Sequence, residues 1–150
     1  MSDIILQKEV YETVCIKKYD GKVLSEFSFN PSDAGIVERY SDFVDGLNDL
    51  GEKISKYEFK KEKNPDLEET KDALNEIKNE IYQKVNELLN ADVSDNIFNI
   101  MHPLSVMPDG NYYFFFIVEQ IGVKIRNITG HRVKKMEMKI KKHTSKYHHG

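Results

Sequence analysis

The helical part of this fold is decided by residues 31–54, which read PSDAGIVERYSDFVDGLNDLGEKI. Six apolar residues in this stretch are spaced 4, 3, 4, 3 and 4 apart: Ile36, Tyr40, Phe43, Leu47, Leu50 and Ile54. Because an α-helix turns once in about 3.6 residues, this spacing places all six on one face. Proline is well suited to the first turn of a helix, and polar neighbours can cap its free N–H groups. The stretch predicts an amphipathic helix over 31–54, with Gly46 and Gly51 as weak points.

A second apolar stripe follows a charged segment, residues 55–66, which we interpret as a linker between helices. Its members are Leu74, Ile77, Ile81, Val85 and Leu88. Acidic residues lie in the first turns, where the helix dipole favours negative charge, so we expect a helix over 66–90. Two stripes with a spacing near 3.5 are typical of antiparallel helices in a bundle. An intermolecular coiled coil is the alternative interpretation.

Two further helices are predicted toward the carboxyl end. Residues 94–101 form a short helix that Ser94 or Asp92 caps and that ends before Pro103. Residues 111–128 contain an apolar run that also fits a buried strand, but their length and apolar spacing favour a helix. This helix is apolar nearly all round at its start, so it is either central in the core or docked on a partner.

The amino-terminal part favours β-structure. Residues 7–29 contain β-favouring residues on both sides of Asp20-Gly21, which is a strong hairpin turn signal. Leu24 breaks the alternation of the second strand and indicates a bulge or burial on both faces. The predicted fold is mainly α (α+β): a single globular domain over 1–130, with an N-terminal hairpin on a bundle of about three longer helices and one short helix.

Charge is distributed unevenly along the 150 residues. From Lys124 onward there are nine Lys or Arg and one acid, Glu137, whereas the net charge of the chain is −3. Residues 131–150 are therefore predicted to be a basic, flexible tail that meets an acidic surface, nucleic acid or the acidic body of its own chain, or that only solubilises the chain. Its basic residues are Arg132, Lys134, Lys135, Lys139, Lys141, Lys142 and Lys146.

The sequence offers no set of catalytic residues, no metal-ligand spacing and no cofactor motif. Cys15 is the only cysteine, and its place in a strand pattern predicts a buried structural thiol. No apolar run reaches the roughly 18 residues of a membrane span, and the amino terminus lacks the pattern of a secretory signal. We expect a soluble, cytoplasmic protein that is not an enzyme.

Three stretches resemble a known family. The first is Phe29-Asn30-Pro31-Ser32-Asp33 with Val37-Glu38-Arg39-Tyr40 and Phe43; the second is Ala91-Asp92-Val93-Ser94-Asp95-Asn96-Ile97-Phe98 with Pro103-Leu104-Ser105; the third is Tyr113-Phe114-Phe115-Phe116 with the lysine-rich end. Together, from about residue 10, they resemble the tail assembly chaperones of long-tailed phages and prophages of Gram-positive bacteria.

The resemblance implies a role in virion assembly in the cytoplasm of the bacterial host. Such chaperones keep the tape measure protein soluble until tail tube subunits polymerise around it, so the tape measure protein and the tail tube protein are the expected partners, together with a possible homo-oligomer. The alternatives are a structural or tail-completion protein and, less favoured, a nucleic-acid-binding module that uses the basic tail. No membrane partner is expected.

The apolar run from Phe114 to Val118 offers more apolar surface than one core face needs. We therefore expect a partner-binding patch on the aromatic helix and the preceding segment; filling of the core is the alternative. The residues of this predicted patch are Phe98, Met101, Leu104, Tyr113, Phe115 and Phe116.

Overall fold

A computed structural model describes residues 2–63 and 66–148 of the chain, with side chains described as far as Lys139. Two antiparallel strands precede four α-helices, which confirms the predicted α+β class. The strands are β1 (Glu12–Lys17) and β2 (Val23–Phe29), and a 3-10 turn (Lys8–Val10) comes before them. The helices are α1 (Ile36–Lys63), α2 (Leu67–Leu89), α3 (Ser94–Phe98) and α4 (Tyr113–His148).

The hairpin forms where the sequence predicts it. Gly21 has φ +90°, a conformation that glycine adopts without strain, and its N–H donates to the carbonyl of Lys18 at 2.9 Å. Leu24 is the predicted bulge: Ile16 pairs with Ser25 and Lys17 with Val23, so Leu24 has no partner on β1. The expectation of a buried cysteine is wrong, because Cys15 lies on the exposed face of β1 beside Glu26.

Helix α1 begins and ends later than the predicted 31–54. It begins later because Asn30 and Asp33 each accept the N–H two residues ahead, from Ser32 at 3.0 Å and Gly35 at 2.9 Å, which closes two turns in place of a first helical turn. At the other end, buried Tyr57 continues the apolar stripe of the helix. The predicted linker over 55–66 is therefore wrong, since most of it is helical.

Helix α2 matches the predicted 66–90 closely. The Asp66 side chain caps its first turn by accepting the N–H groups of Glu68 and Glu69, and Asn90 ends it in the left-handed conformation with φ 49°. Across the turn between α1 and α2, Lys60 pairs with Glu69 at 3.2 Å. The buried apolar residues of the two helices lie in one core and hold the pair together, whereas the exposed Lys60–Glu69 pair adds little.

Helix α3 is shorter than the predicted 94–101, and a residue from another helix caps it. The side-chain oxygen of Asn86, on α2, accepts the N–H groups of Val93 and Ser94, each at 2.9 Å. The Ser94 hydroxyl does not act as the expected cap; it donates to the carbonyl of Tyr82 at 2.7 Å. Asn86 therefore ties α3 to α2.

Replacement of Asn86 by alanine should lower the free energy of unfolding by about 1–2 kcal/mol, because two N–H groups at the start of α3 lose their acceptor. Urea unfolding followed by circular dichroism measures this change. Gln83→Ala is the matched control, since the Gln83 amide contacts only an exposed Glu87, and it should change the free energy by less than about 0.5 kcal/mol. Equal changes in the two variants would contradict the capping role.

The stretch predicted as helix 111–128 is helical, not a strand, but its end is elsewhere. Helix α4 continues through Gly130 to His148, so the predicted end of this helix at residue 128 is wrong. Two anchors on either side of Gly130 hold this part of the helix. The Thr129 hydroxyl donates to the carbonyl of Pro31 at 3.1 Å, and Arg132 donates to the Ser32 hydroxyl at 2.9 Å. One glycine in a helix costs only about 1 kcal/mol, which these contacts offset.

One hydrophobic core joins the hairpin and all four helices. This core includes Phe27 and Phe29 from β2, Ile81 and Val85 from α2, and Phe114 from α4. Among the helices that the structure describes, none has the length and apolar character to cross a membrane.

Candidate partner-binding groove

An open apolar groove of about 670 Å³ lies between the first halves of α1 and α4. Six residues of α1 line it: Ile36, Val37, Tyr40, Phe43, Val44 and Leu47. Eight residues of α4 line it: Phe115, Val118, Glu119, Gln120, Gly122, Val123, Ile125 and Arg126. The lining is mostly apolar. A groove lined in this way favours an occupant that presents a row of apolar side chains.

The groove exposes side chains that a closed bundle would bury. Val37 is 72% exposed, and Tyr40, Val44 and Val123 are also exposed. Phe115, Val118 and Ile125 form a partly buried floor that packs on the core. Contiguous exposed apolar surface of this kind marks interaction sites, whereas single exposed residues do not.

Gly122 is the one glycine in the lining of the groove. A Cβ atom built on Gly122 would meet nothing closer than the guanidinium nitrogen of Arg126, at 3.9 Å. Glycine inside a helix costs about 1 kcal/mol relative to alanine, and here the space that its missing side chain leaves opens toward the groove. The absent side chain therefore leaves open space on the groove side of α4.

Two hydrogen-bonded contacts fix the start of α1 beside the groove. Arg39 donates from Nε to the carbonyl of Leu88 at 3.0 Å and pairs with Asp33 at 3.2 Å. The N–H of Gly35 is the main reason that the pKa of Asp33 lies below its usual value, and Arg39 lowers it further. The ionised Asp33 thus connects the segment before α1 to the end of α2 through Arg39.

The predicted partner-binding patch is not formed as a unit. Phe98, Leu104 and Tyr113 are buried in the core, so their assignment as surface residues is wrong. Phe115 lines the groove, whereas Met101 and Phe116 are exposed outside it. Of the six residues predicted to bind a partner, the groove lining therefore contains one, Phe115.

Phe98 and Tyr113 are buried between α3 and α4, where their rings hold the two helices together. Their rings meet edge to face with centroids 5.8 Å apart, and Phe98 also stacks on Tyr82 at 5.2 Å. The Tyr113 hydroxyl donates to the carbonyl of Ile97 at 2.8 Å. Burial raises the pKa of Tyr113 to about 12, so the hydroxyl remains a donor at all physiological pH values.

Val37 and Val44 were not predicted as groove residues, although the sequence contains a signal for them. They lie beside the core stripe of α1, where the apolar residues of the helix cover more than one narrow face. Tyr40 was assigned to that core stripe, but its side chain is exposed at the groove. A broad apolar face indicates that part of it is not covered by the core.

Among the basic residues predicted for the tail, one is held by hydrogen bonds and others are exposed. Arg132 is half-buried and donates to the carbonyl of Glu9 at 2.6 Å as well as to Ser32. Lys134, Lys135 and Lys139 are exposed. The remaining three, Lys141, Lys142 and Lys146, lie outside the residues whose side chains the structure describes. Arg132 therefore joins α4 to the two segments that flank the hairpin.

No group of three or more His, Cys, Asp or Glu residues lies close enough to hold a metal ion within the described residues. His102 is the histidine with a defined environment: its Nδ1 accepts the N–H of Leu104 at 3.1 Å, and its Nε2 is buried without a partner. Burial and the nearby Lys78 ammonium lower the pKa of His102. The neutral imidazole is therefore the form that the folded protein prefers.

This preference predicts acid sensitivity. As pH falls below about 6.5, the unfolded chain takes up a proton at His102 before the folded chain does, so the free energy of unfolding should decrease. His102→Asn offers a side-chain acceptor for the Leu104 N–H and does not titrate. Urea unfolding at pH 7.5 and 5.5 should show a smaller loss for this variant than for the wild type, and equal losses would contradict the assignment.

Comparisons of this chain with protein-family models, with curated proteins and with solved structures found no match.

Proposed function

We propose that this chain is a binding protein without catalytic activity, a tail assembly chaperone whose groove between α1 and α4 holds an apolar helical stripe of the tape measure protein. The groove is the observation that supports this proposal, since it is apolar, open to solvent and formed by two helices. An amphipathic helix that lies in a groove of this kind buries residues at i, i+3, i+4 and i+7. The proposed site of action is the cytoplasm of a bacterial host during tail assembly.

The dimensions of the groove agree with such an occupant. Its α4 side runs from Phe115 to Arg126, which corresponds to about 17 Å of helix at about 1.5 Å per residue. This length matches about three turns of a bound helix. One site of this size gives modest affinity, but many copies on one long client would cover it through multivalency while each copy remains easy to release.

A pull-down during prophage induction tests the proposal. The tagged chain should recover a very long helical protein, identified by mass spectrometry, and should be absent from purified particles. A Val44→Glu variant should recover at least about tenfold less of that protein, because a charge would be buried against the apolar occupant.

Val23→Glu is the matched control, since Val23 is an exposed valine on the hairpin and does not line the groove. It should recover as much client as the wild type does. Equal recovery with both variants would exclude the groove as the client site. Stoichiometric presence of the chain in particles would instead indicate a structural or tail-completion protein. Nucleic acid in place of a protein client would indicate that the exposed lysines of α4 are the functional element.

A further inference from the structure

The amino-terminal arm, residues 2–7, exposes three consecutive large apolar residues. Ile4 is 94% exposed, Ile5 is 87% exposed and Leu6 is 59% exposed. The arm belongs to no helix or strand. Its apolar side chains contribute nothing to the core of their own chain, which leaves them available for contact with another surface.

The arm leaves the fold near one end of the groove. Arg132 holds the carbonyl of Glu9 at 2.6 Å, and Thr129 holds the carbonyl of Pro31 at 3.1 Å, one turn earlier on α4. The residues of α4 that line this end of the groove, Ile125 and Arg126, are only one turn before Thr129. The anchor of the arm, at Arg132, therefore lies about two turns beyond this end of the groove on the same helix.

The arm also has the length that the groove requires. From Gln7 back to Ser2, the length of the arm, an extended chain spans about 17 Å at about 3.3 Å per residue. The α4 side of the groove, from Phe115 to Arg126, spans about the same distance at about 1.5 Å per residue. An extended arm would place Ile4 and Leu6 on one side and Ile5 on the other, so both walls of the groove would be contacted.

We propose that the groove of one copy binds the Ile4–Leu6 arm of a second copy, so that two chains exchange arms in a dimer. In the single chain both the arm and the groove are uncovered, and a second copy covers both at once. Reciprocal exchange about a two-fold axis forms two identical arm–groove contacts and doubles the buried area. Client and arm would then compete for one surface, which would keep the groove covered until a client displaces the arm. The dimer itself does not depend on the identity of the client.

Sedimentation velocity over a range of concentrations tests the proposal. The wild-type chain should form a dimer, and Ile5→Asp should raise the dissociation constant at least about a hundredfold, because both arm contacts are lost. Gly122→Leu, which fills the groove, should have a similar effect. Val23→Glu should leave the dissociation constant unchanged. A wild-type chain that remains monomeric, or a dimer that Ile5→Asp does not weaken, would overturn the proposal.

Mixing two defective variants separates arm exchange from other dimers. An Ile5→Asp chain keeps a functional groove, and a Val44→Glu chain keeps a functional arm, so an equimolar mixture should form heterodimers with one intact contact. Each variant alone should remain monomeric at the same concentration. Failure of the mixture to associate would exclude exchange between chains. A wild-type dimer that recovers no client in the pull-down would refute only the proposed function, whereas a monomer that binds client would refute only arm exchange.

Discussion

Replacing Phe114 by alanine is expected to lower the free energy of unfolding by about 3–5 kcal/mol, which is the usual cost of removing a fully buried phenylalanine. The ring is 1% exposed and stacks on Phe115 with centroids 4.3 Å apart. A domain of this size has about 5–15 kcal/mol of stability in all. Urea unfolding followed by circular dichroism should therefore show a large decrease of the midpoint concentration.

The matched control lies two residues further along α4. Phe116 is 36% exposed and lies outside the groove lining, so Phe116→Ala should cost at most about half as much. Equal losses in the two variants would mean that α4 presents a different face to the core. A lower urea midpoint for Phe116→Ala but not for Phe114→Ala would also mean that α4 presents a different face to the core.

Hydrophobic spacing predicted most of the helices because it reports directly on which residues share a face. Five residues of the second stripe lie within the observed α2, and Ile77, Ile81 and Val85 are fully buried. The ends of helices were harder to predict because local hydrogen bonds compete there. Asn30 and Asp33 accept backbone N–H groups two residues ahead, which moves the start of α1. Hydrophobic spacing does not account for such local hydrogen bonds.

The exposed apolar surface was predicted in the wrong place for a different reason. An apolar run such as Tyr113 to Ile117 shows that a segment avoids water, but not which of its residues another element covers. Only the packing of α3 decides that Phe98 and Tyr113 face each other. Likewise, Val37 and Val44 are left exposed because α4 stands away from the start of α1 and leaves the groove between them. Such information is tertiary and is absent from single-helix periodicity.

Gly122→Leu should separate binding from stability, since it is expected to strengthen the fold and abolish the groove. Leucine is a better helix former than glycine by about 0.5–1 kcal/mol, and the position has room for a Cβ atom, with the nearest neighbour at 3.9 Å. The rest of the leucine side chain would fill the middle of the groove. The free energy of unfolding should therefore rise while the affinity for the client falls at least about tenfold.

Gly130→Leu is the control that makes this result interpretable. Gly130 lies inside the same helix, has nothing within 4 Å of its built Cβ, and does not line the groove. It should gain the same stability and bind the client recovered in the pull-down with unchanged affinity, as measured with that client immobilised on a biosensor. Because both variants stabilise α4, a loss of binding in Gly122→Leu alone can only come from the filled groove. Loss of binding in both variants would show that a stiffer α4, and not the groove itself, controls the client.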